Sequence, residues 1–412
     1  MEMAVIIQNV LQYYSLRPFL KLVKEKKYWK NDIYIFDSQD TTTGFSEIME
    51  ELKQTIIKDG FQIANKNDEK KMYKVCLSPY QNMVDIKYEY LIGYYYGSAC
   101  SKPFTFNPNL KSKFHGFLLH SNYDANILSI YGKTYIVPRL SLHEIKSKKH
   151  SGKKRLLYLP TYGKESEIEA IAKILPTIKN NYTIIIKSHH GTAHLKNEIN
   201  RKTNLEKIAD HYYEPTKSAQ ELFEEADVVL SDNSGAIFDS LYVKKPICIL
   251  SNNIDNSYVG IHPLQKKLVD DGIIPYSNKA TSKELLRILQ EALSTKIIEK
   301  QKKESDILFP NKTTGAEEWI KVLKNYMNDN INTDYIKIHN HLTTERNHLI
   351  TKCNQLMTKQ DILTEKLNNA KQEKEKLSKT INDLSLQLNH YKNGKLYKLA
   401  QKIYEVKNGK EF

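Results

Sequence analysis

The sequence predicts an α/β fold: two Rossmann-like domains followed by a C-terminal α-helical coiled coil. Three observations carry this expectation. Short apolar runs alternate with helical patterns through most of the chain, the mark of βαβ units and parallel sheets. A basic, turn-rich stretch, KSKKHSGKKR at 146–155, divides the alternation into two halves. After Pro310 there is no further proline, and a seven-residue apolar repeat takes over.

In the first half, 1–150, residues 9–28 read as a helix interrupted or kinked near Pro18, and DIYIFD (32–37) as a strand. FSEIMEELKQTIIKDG (45–60) places Ile48, Leu52 and Ile56 on one helical face and stops at Gly60. MYKVCLS, YEYLIGYYYG, FHGFLLHS (114–121) and KTYIVP (133–138) follow as strand candidates. In the second half, 151–330, the strands are RLLYLP (155–160), YTIIIK (182–187), DVVLSD (227–232) and PICILS (246–251). Helical patterns separate them: SEIEAIAKILPTIK, SAQELFEEA, GAIFDSLYVKK and, last, SKELLRILQEAL (282–293). Strands this apolar are buried on both faces, as in a doubly wound sheet.

The repeat assigned to 334–391 places Leu342, Leu349, Leu356, Leu363, Ala370, Leu377, Leu384 and Tyr391 seven residues apart. The offset series is Cys353, Gln360, Leu367, Lys374, Ile381 and Leu388. Gln360 and Lys374 in the seam trade stability for register and oligomer state, so a homo-oligomer is expected. In the tail, 392–412, Leu396, Leu399, Ile403 and Val406 form a stripe flanked by Lys395, Lys398 and Lys402. An amphipathic basic helix of this kind suits an anionic membrane surface.

At 412 residues the chain exceeds one ordinary domain, and its formal charge of +14 favours polyanionic partners. The lysines are scattered, and no nucleic-acid-binding motif accompanies them, so nucleic acid is not expected as a partner. The four cysteines, Cys76, Cys100, Cys248 and Cys353, form no CxxC pair. That argues against a disulfide framework or zinc site and suits a reducing cytosol. No cofactor and no metal are expected. No apolar run approaches the ~18–20 residues that span a bilayer, so a peripheral association is expected.

The chemistry concentrates at three strand ends. DVVLSDNSGAIFDSLY ends a strand at Ser231 and Asp232, turns through Asn233, Ser234 and Gly235, and opens a helix. The free N–H groups and dipole at such a helix start suit a phosphate or diphosphate. Ser234 adds a hydroxyl and a cap, and Gly235 admits close approach. An ordinary N-cap is the plainer alternative. IIIKSHHGT brings Lys187, Ser188, His189 and His190 to a second strand end: a phosphate-neutralising ammonium and a histidine able to orient a phosphate or move a proton. LLYLPTYG brings Pro160, Thr161 and Gly163 to a third. Ligands of open α/β sheets lie beyond such ends.

These segments together resemble the CDP-glycerol glycerophosphotransferase family of teichoic-acid and capsule synthesis. That family carries ILYxPTxR, then KxHP, then LLxxxDxLITDYSSxxFDxxxxxKPIxF. The resemblance spans residues 88–325 and is best over 155–250. It implies a GT-B-like fold and transfer of a polyol phosphate from a CDP-alcohol to a lipid-linked or polymer acceptor. The site would be cytoplasmic, at the inner face of the cell membrane. Residue by residue it carries over to Lys187, His189, Ser231, Asp232, Ser234 and Asp239, with Asn233 where Tyr is usual and Gly235 where Ser is usual. Thr161 falls in the first motif.

The family also carries WHGTPLK, whose His is thought to be the base on the acceptor hydroxyl. Here His115-Gly116 lies only 23 residues before Pro138-Arg139, which looks like the family's GxPRxD segment. YYYGSACSK (94–102) is better spaced but puts Tyr96 where His is usual, and a tyrosine of ordinary pKa is a poor base at neutral pH. His115, His120 and His189 are therefore kept with Tyr96 as catalytic candidates. Two alternatives stay open: a GT-B glycosyltransferase using a nucleotide sugar, and a degenerate scaffold of the same pathway.

Overall fold

The computed structural model describes residues 2–35, 45–64, 71–79, 86–99, 113–142, 145, 148, 150–163, 166–189, 191–192, 195, 198–214, 217–252, 263–312, 315–329 and 333–408. The chain forms two units, Met1–Asn340 and His341–Phe412. The first holds two parallel sheets.

The first sheet contains β1 (Glu2–Ile7), β2 (Lys30–Ile35), β3 (Gln62–Ile63), β4 (Met72–Ser78), β5 (Lys87–Tyr94), β6 (Gly116–Leu119) and β7 (Lys133–Ile136). Its order is β3-β2-β1-β4-β5-β6-β7, every neighbour parallel. The central β1 was not among the strands expected from sequence. Its residues Met3–Ile7 are fully buried, and the pleat divides them: Met3, Val5 and Ile7 enter one core, Ala4 and Ile6 the other. Pro18 does not end its helix; Val10–Glu25 is one helix with Pro18 inside it. Asn9 caps this helix, its side chain accepting from Gln12 N–H at 3.0 Å.

The second sheet contains β8 (Lys154–Leu159), β9 (Tyr182–Lys187), β10 (His211–Tyr213), β11 (Val228–Ser231), β12 (Ile247–Leu250) and β13 (Tyr276–Ser277). Its order is β10-β9-β8-β11-β12-β13, again parallel throughout. Alternate residues of β8, β11 and β12 feed separate cores on the two faces. Both faces are therefore covered, as the unbroken apolar runs required. The proline in the first helix of this half does end it: Ile168–Ile174 passes into a 3₁₀ turn at Leu175–Ile178 with Pro176 at its start.

The helix Ala316–Met327 returns to the first sheet. Trp319, Ile320, Leu323 and Tyr326 join the core around Val5 and Phe19, the Trp319 ring lies 5.7 Å from that of Phe19, and its Nε1 donates to Pro138 O at 2.8 Å. As a partition we propose 1–150 and 151–330, with 316–327 completing the first core. The second unit contains most of the helix Thr333–Asn393 and the helix Lys395–Lys407.

Candidate active site

In the second sheet the strand order reverses direction between β8 and β11. In open parallel sheets this switch point opens a crevice beyond the carboxyl ends of the strands. Thr161 lies just past the end of β8, Ser231 ends β11, and Lys187 ends the adjacent β9. The three segments singled out from sequence thus meet at one edge.

The roles within SDNSG differ from expectation. Ser231, Asp232 and Asn233 are buried, and their side chains hold the crevice together. Ser231 Oγ donates to Leu159 O at 2.7 Å. Asp232 Oδ1 accepts Thr161 N–H at 2.8 Å, and Oδ2 accepts Glu167 N–H at 3.2 Å. Asn233 Nδ2 donates to Ser251 Oγ at 3.0 Å, and its Oδ1 accepts from Gln265 at 3.2 Å. These groups end a strand facing into the domain, where each polar atom must find an internal partner. Glu167, unmarked in the sequence, completes the frame by accepting Asn252 N–H at 2.8 Å and Asn252 Nδ2 at 3.0 Å. Burial pushes the Asp232 carboxyl up to about 7, against the backbone hydrogen bonds that favour its charge. Ser234 and Gly235 are half-buried. Ser234 Oγ accepts Ala236 N–H at 3.3 Å just before the helix Ala236–Tyr242, whose N-cap is Gly235, with the ordinary right-handed φ of −58° and no side-chain cap.

Lys187 is the site's recessed cation. Among the described residues its ammonium has no hydrogen-bond partner. Burial lowers its pKa to about 8, while the Asp239 carboxylate favours its charge and Arg139 opposes it. His189 is held in place: Gly191 N–H donates to its Nδ1 at 3.1 Å, and its ring stacks on Tyr162 at 4.5 Å and 15°. With Nδ1 accepting, a neutral His189 carries its proton on Nε2 and is a donor there. Gly191 permits the stack, since a Cβ at that position would lie 2.4 Å from the Tyr162 ring. His190 lies outside the described residues. An aromatic stack is worth about 0.5–1.5 kcal/mol, so Gly191→Ala is expected to lower kcat/KM roughly 2- to 10-fold, as read by steady-state kinetics.

The first domain supplies the opposite wall. Tyr96 is half-buried on the turn after β5, and this turn touches the second domain. Ser98 N–H donates to Asp239 Oδ1 at 3.3 Å, and Ala99 joins the second domain's core. Arg139 ties the contact together. Its guanidinium pairs with Asp239 and donates to Ser98 Oγ at 2.8 Å, while its backbone N–H donates to Tyr242 Oη at 3.0 Å. Asp239 is thus a bridging carboxylate between domains. Arg139 was assigned no role from sequence, although its likeness to GxPRxD was the available signal.

Two histidine candidates are corrected. His115 precedes β6, at the end of the first sheet opposite the cleft loops, and its Nδ1 accepts Leu91 N–H at 3.0 Å. His120 is 2% exposed, with its ring nitrogens 2.9 Å from Val137 O and Tyr95 O. Burial lowers its pKa to about 4. It is enclosed beneath the loop bearing Tyr96, with both ring nitrogens against backbone carbonyls. Among the described residues, no group of three or more His, Cys, Asp or Glu side chains is placed to hold a metal ion.

Two parallel α/β domains meeting at a cleft make this a GT-B-like protein. Residues 143–303 match the model of the CDP-glycerol:poly(glycerophosphate) glycerophosphotransferase family. The matched segment contains all six strands of the second sheet. The structure is also similar to the wall teichoic acid polymerase TagF solved with CDPG, at TM-score 0.50 and 11% identity over 80% of this chain and 89% of that one. It is similar to a putative UDP-N-acetylglucosamine 2-epimerase from Listeria monocytogenes, at 0.51 and 10% identity over 81% and 97%. It is similar to MnaA from S. aureus with UDP, at 0.50 and 13% identity over 79% and 97%. No curated protein matches the chain in sequence.

Proposed function

We propose that this chain transfers a polyol phosphate, glycerol phosphate or a similar group, from a CDP-activated donor to a lipid-linked or polymer acceptor in teichoic-acid-like or capsule synthesis. The observation that carries the reading is the family match over 143–303, which spans all three strand ends of the crevice. Lys187 neutralises the donor diphosphate at the Ser234–Gly235 helix start, and the buried frame of Asp232 and Glu167 holds the Thr161 loop beside it. The acceptor oxygen forms a bond to the phosphorus that bears the polyol, and the bond from that phosphorus to CMP breaks. We assign His189 Nε2–H to hydrogen-bond the departing phosphate while keeping its proton, and the proton of the acceptor hydroxyl passes to solvent as the new bond forms. We assign Tyr96, on the turn after β5, to orienting the acceptor hydroxyl.

The nucleotide-sugar reading retains one supporting observation: neighbours of equal similarity are described with UDP and UDP-glucose. Calorimetric titration of the full chain with CDP-glycerol, CDP-ribitol and UDP-sugars separates the two. Tighter binding of a CDP-alcohol supports the proposal; preference for a UDP-sugar overturns it; binding of neither favours the scaffold.

The reading extends to the second unit. Thr333–Asn393 joins a second copy as a coiled coil, and Lys395–Lys407 lays its Leu396–Leu399–Ile403–Val406 stripe on an anionic membrane at the inner face. Supporting this are the exposure of that stripe and the ~1 kcal/mol by which such a surface attracts each nearby lysine. No helix of the described residues is long and apolar enough to cross a membrane. Vesicle sedimentation should recover the protein with anionic vesicles and leave it in solution with neutral ones; equal recovery from both would remove the electrostatic part.

A further inference from the structure

The helix Thr333–Asn393 leaves its heptad leucines uncovered: Leu349, Leu356, Leu363, Leu377 and Leu384 are 58–65% exposed. The spacing of the two series fixes the heptad letters. The step from Leu356 to Gln360 is four residues and from Gln360 to the next leucine, Leu363, is three, so the leucine series occupies d and the offset series a. Read this way, a holds Arg346, Cys353, Gln360, Leu367, Lys374, Ile381 and Leu388. The polar members Arg346, Gln360 and Lys374 recur every second heptad.

We infer that this face pairs with a second copy of the chain as a parallel, in-register, two-stranded coil. The inference rests on the coiled-coil reading above and adds its orientation and register. In an antiparallel pair each a layer faces a d′ layer, so Arg346, Gln360 and Lys374 would press on leucine, alanine or tyrosine with no polar partner. In a parallel in-register pair each a residue faces its own copy, and the preceding g residue of the other chain flanks it. The g positions carry Glu345, Lys352, Lys359, Lys366, Glu373, Thr380 and Gln387. Their two acids stand immediately before the two cationic a positions, Arg346 and Lys374. The d position before Lys374 is Ala370, the small exception in the leucine series, which leaves room for the lysine stem. Gln360 meets Gln360 and can both donate and accept. Polar a residues of this kind also restrict the pairing to one register.

Cys353 occupies an a position and gives the test. Cys76 and Cys248 are buried in the sheets. Light scattering of the full chain should give twice the 48.0 kDa chain mass, and mild oxidation should give a covalent dimer on a non-reducing gel that Cys353→Ser abolishes. Leu377→Cys in the Cys353→Ser background should restore it, because one antiparallel register cannot bring both positions onto their own copies. A dimer that cross-links at neither position overturns orientation and register while leaving the coiled-coil reading intact. A monomer overturns both.

Discussion

Lys187→Ala is expected to lower kcat/KM for the donor by roughly 10- to 150-fold. That range corresponds to the ~1.5–3 kcal/mol of a hydrogen bond to a charged group. The ammonium is recessed, is without a hydrogen-bond partner among the described residues, and has its pKa lowered to about 8 by burial. The pH dependence follows. Below about pH 8 the free protein carries the cation and captures the diphosphate; above it the cation is lost, so kcat/KM falls as pH rises through about 8. Lys187→Arg should retain part of the activity and remove this alkaline limb, since a guanidinium stays charged throughout. Unchanged kcat/KM in Lys187→Ala would remove the residue from the donor site.

Asp232→Ala is expected to act on stability before chemistry. It leaves the Thr161 and Glu167 N–H groups buried without acceptors, at about 1–3 kcal/mol each. Denaturant unfolding of the full chain should show that loss, with the Thr161 loop released first. Asp232 also predicts a pH effect of definite sign. Its folded pKa is raised to about 7, above the ~3.9 of an unfolded aspartate. The folded domain therefore binds more protons between these values, and the stability linked to this group is lost as pH rises from about 4 through 7 and is level above. Asp232→Asn keeps one acceptor oxygen and cannot titrate, so it should flatten this dependence. A Tm unchanged in Asp232→Ala would contradict the framing role.

The contrast between these residues marks what a sequence discloses. YTIIIK was legible as β9 to the residue because an apolar run stops at a charged one, and that same boundary places Lys187 at a strand end. The polar strand ends were legible too, because β8 and β11 carry their polar turns immediately after buried runs, but the strand order that makes them a switch point was not. The partners of Ser231, Asp232 and Asn233 were not, since Glu167, Ser251 and Gln265 lie far away in the chain and nothing local announces them. β1 passed unread because EMAVII is short and lacks turn residues before it. The helix that carries Trp319 also passed unread, and its periodicity does not say which sheet buries it. His120 looked like any histidine at a strand end until two carbonyl oxygens enclosed it.

In the proposed reaction the β-phosphorus of the CDP-alcohol passes to the acceptor together with the polyol. Full-length protein given CDP-glycerol and a lipid-linked acceptor should release CMP and place one phosphate per turnover on the acceptor, both followed by phosphorus NMR. Release of a nucleoside diphosphate from a nucleotide sugar, with CDP-glycerol left intact, would contradict it.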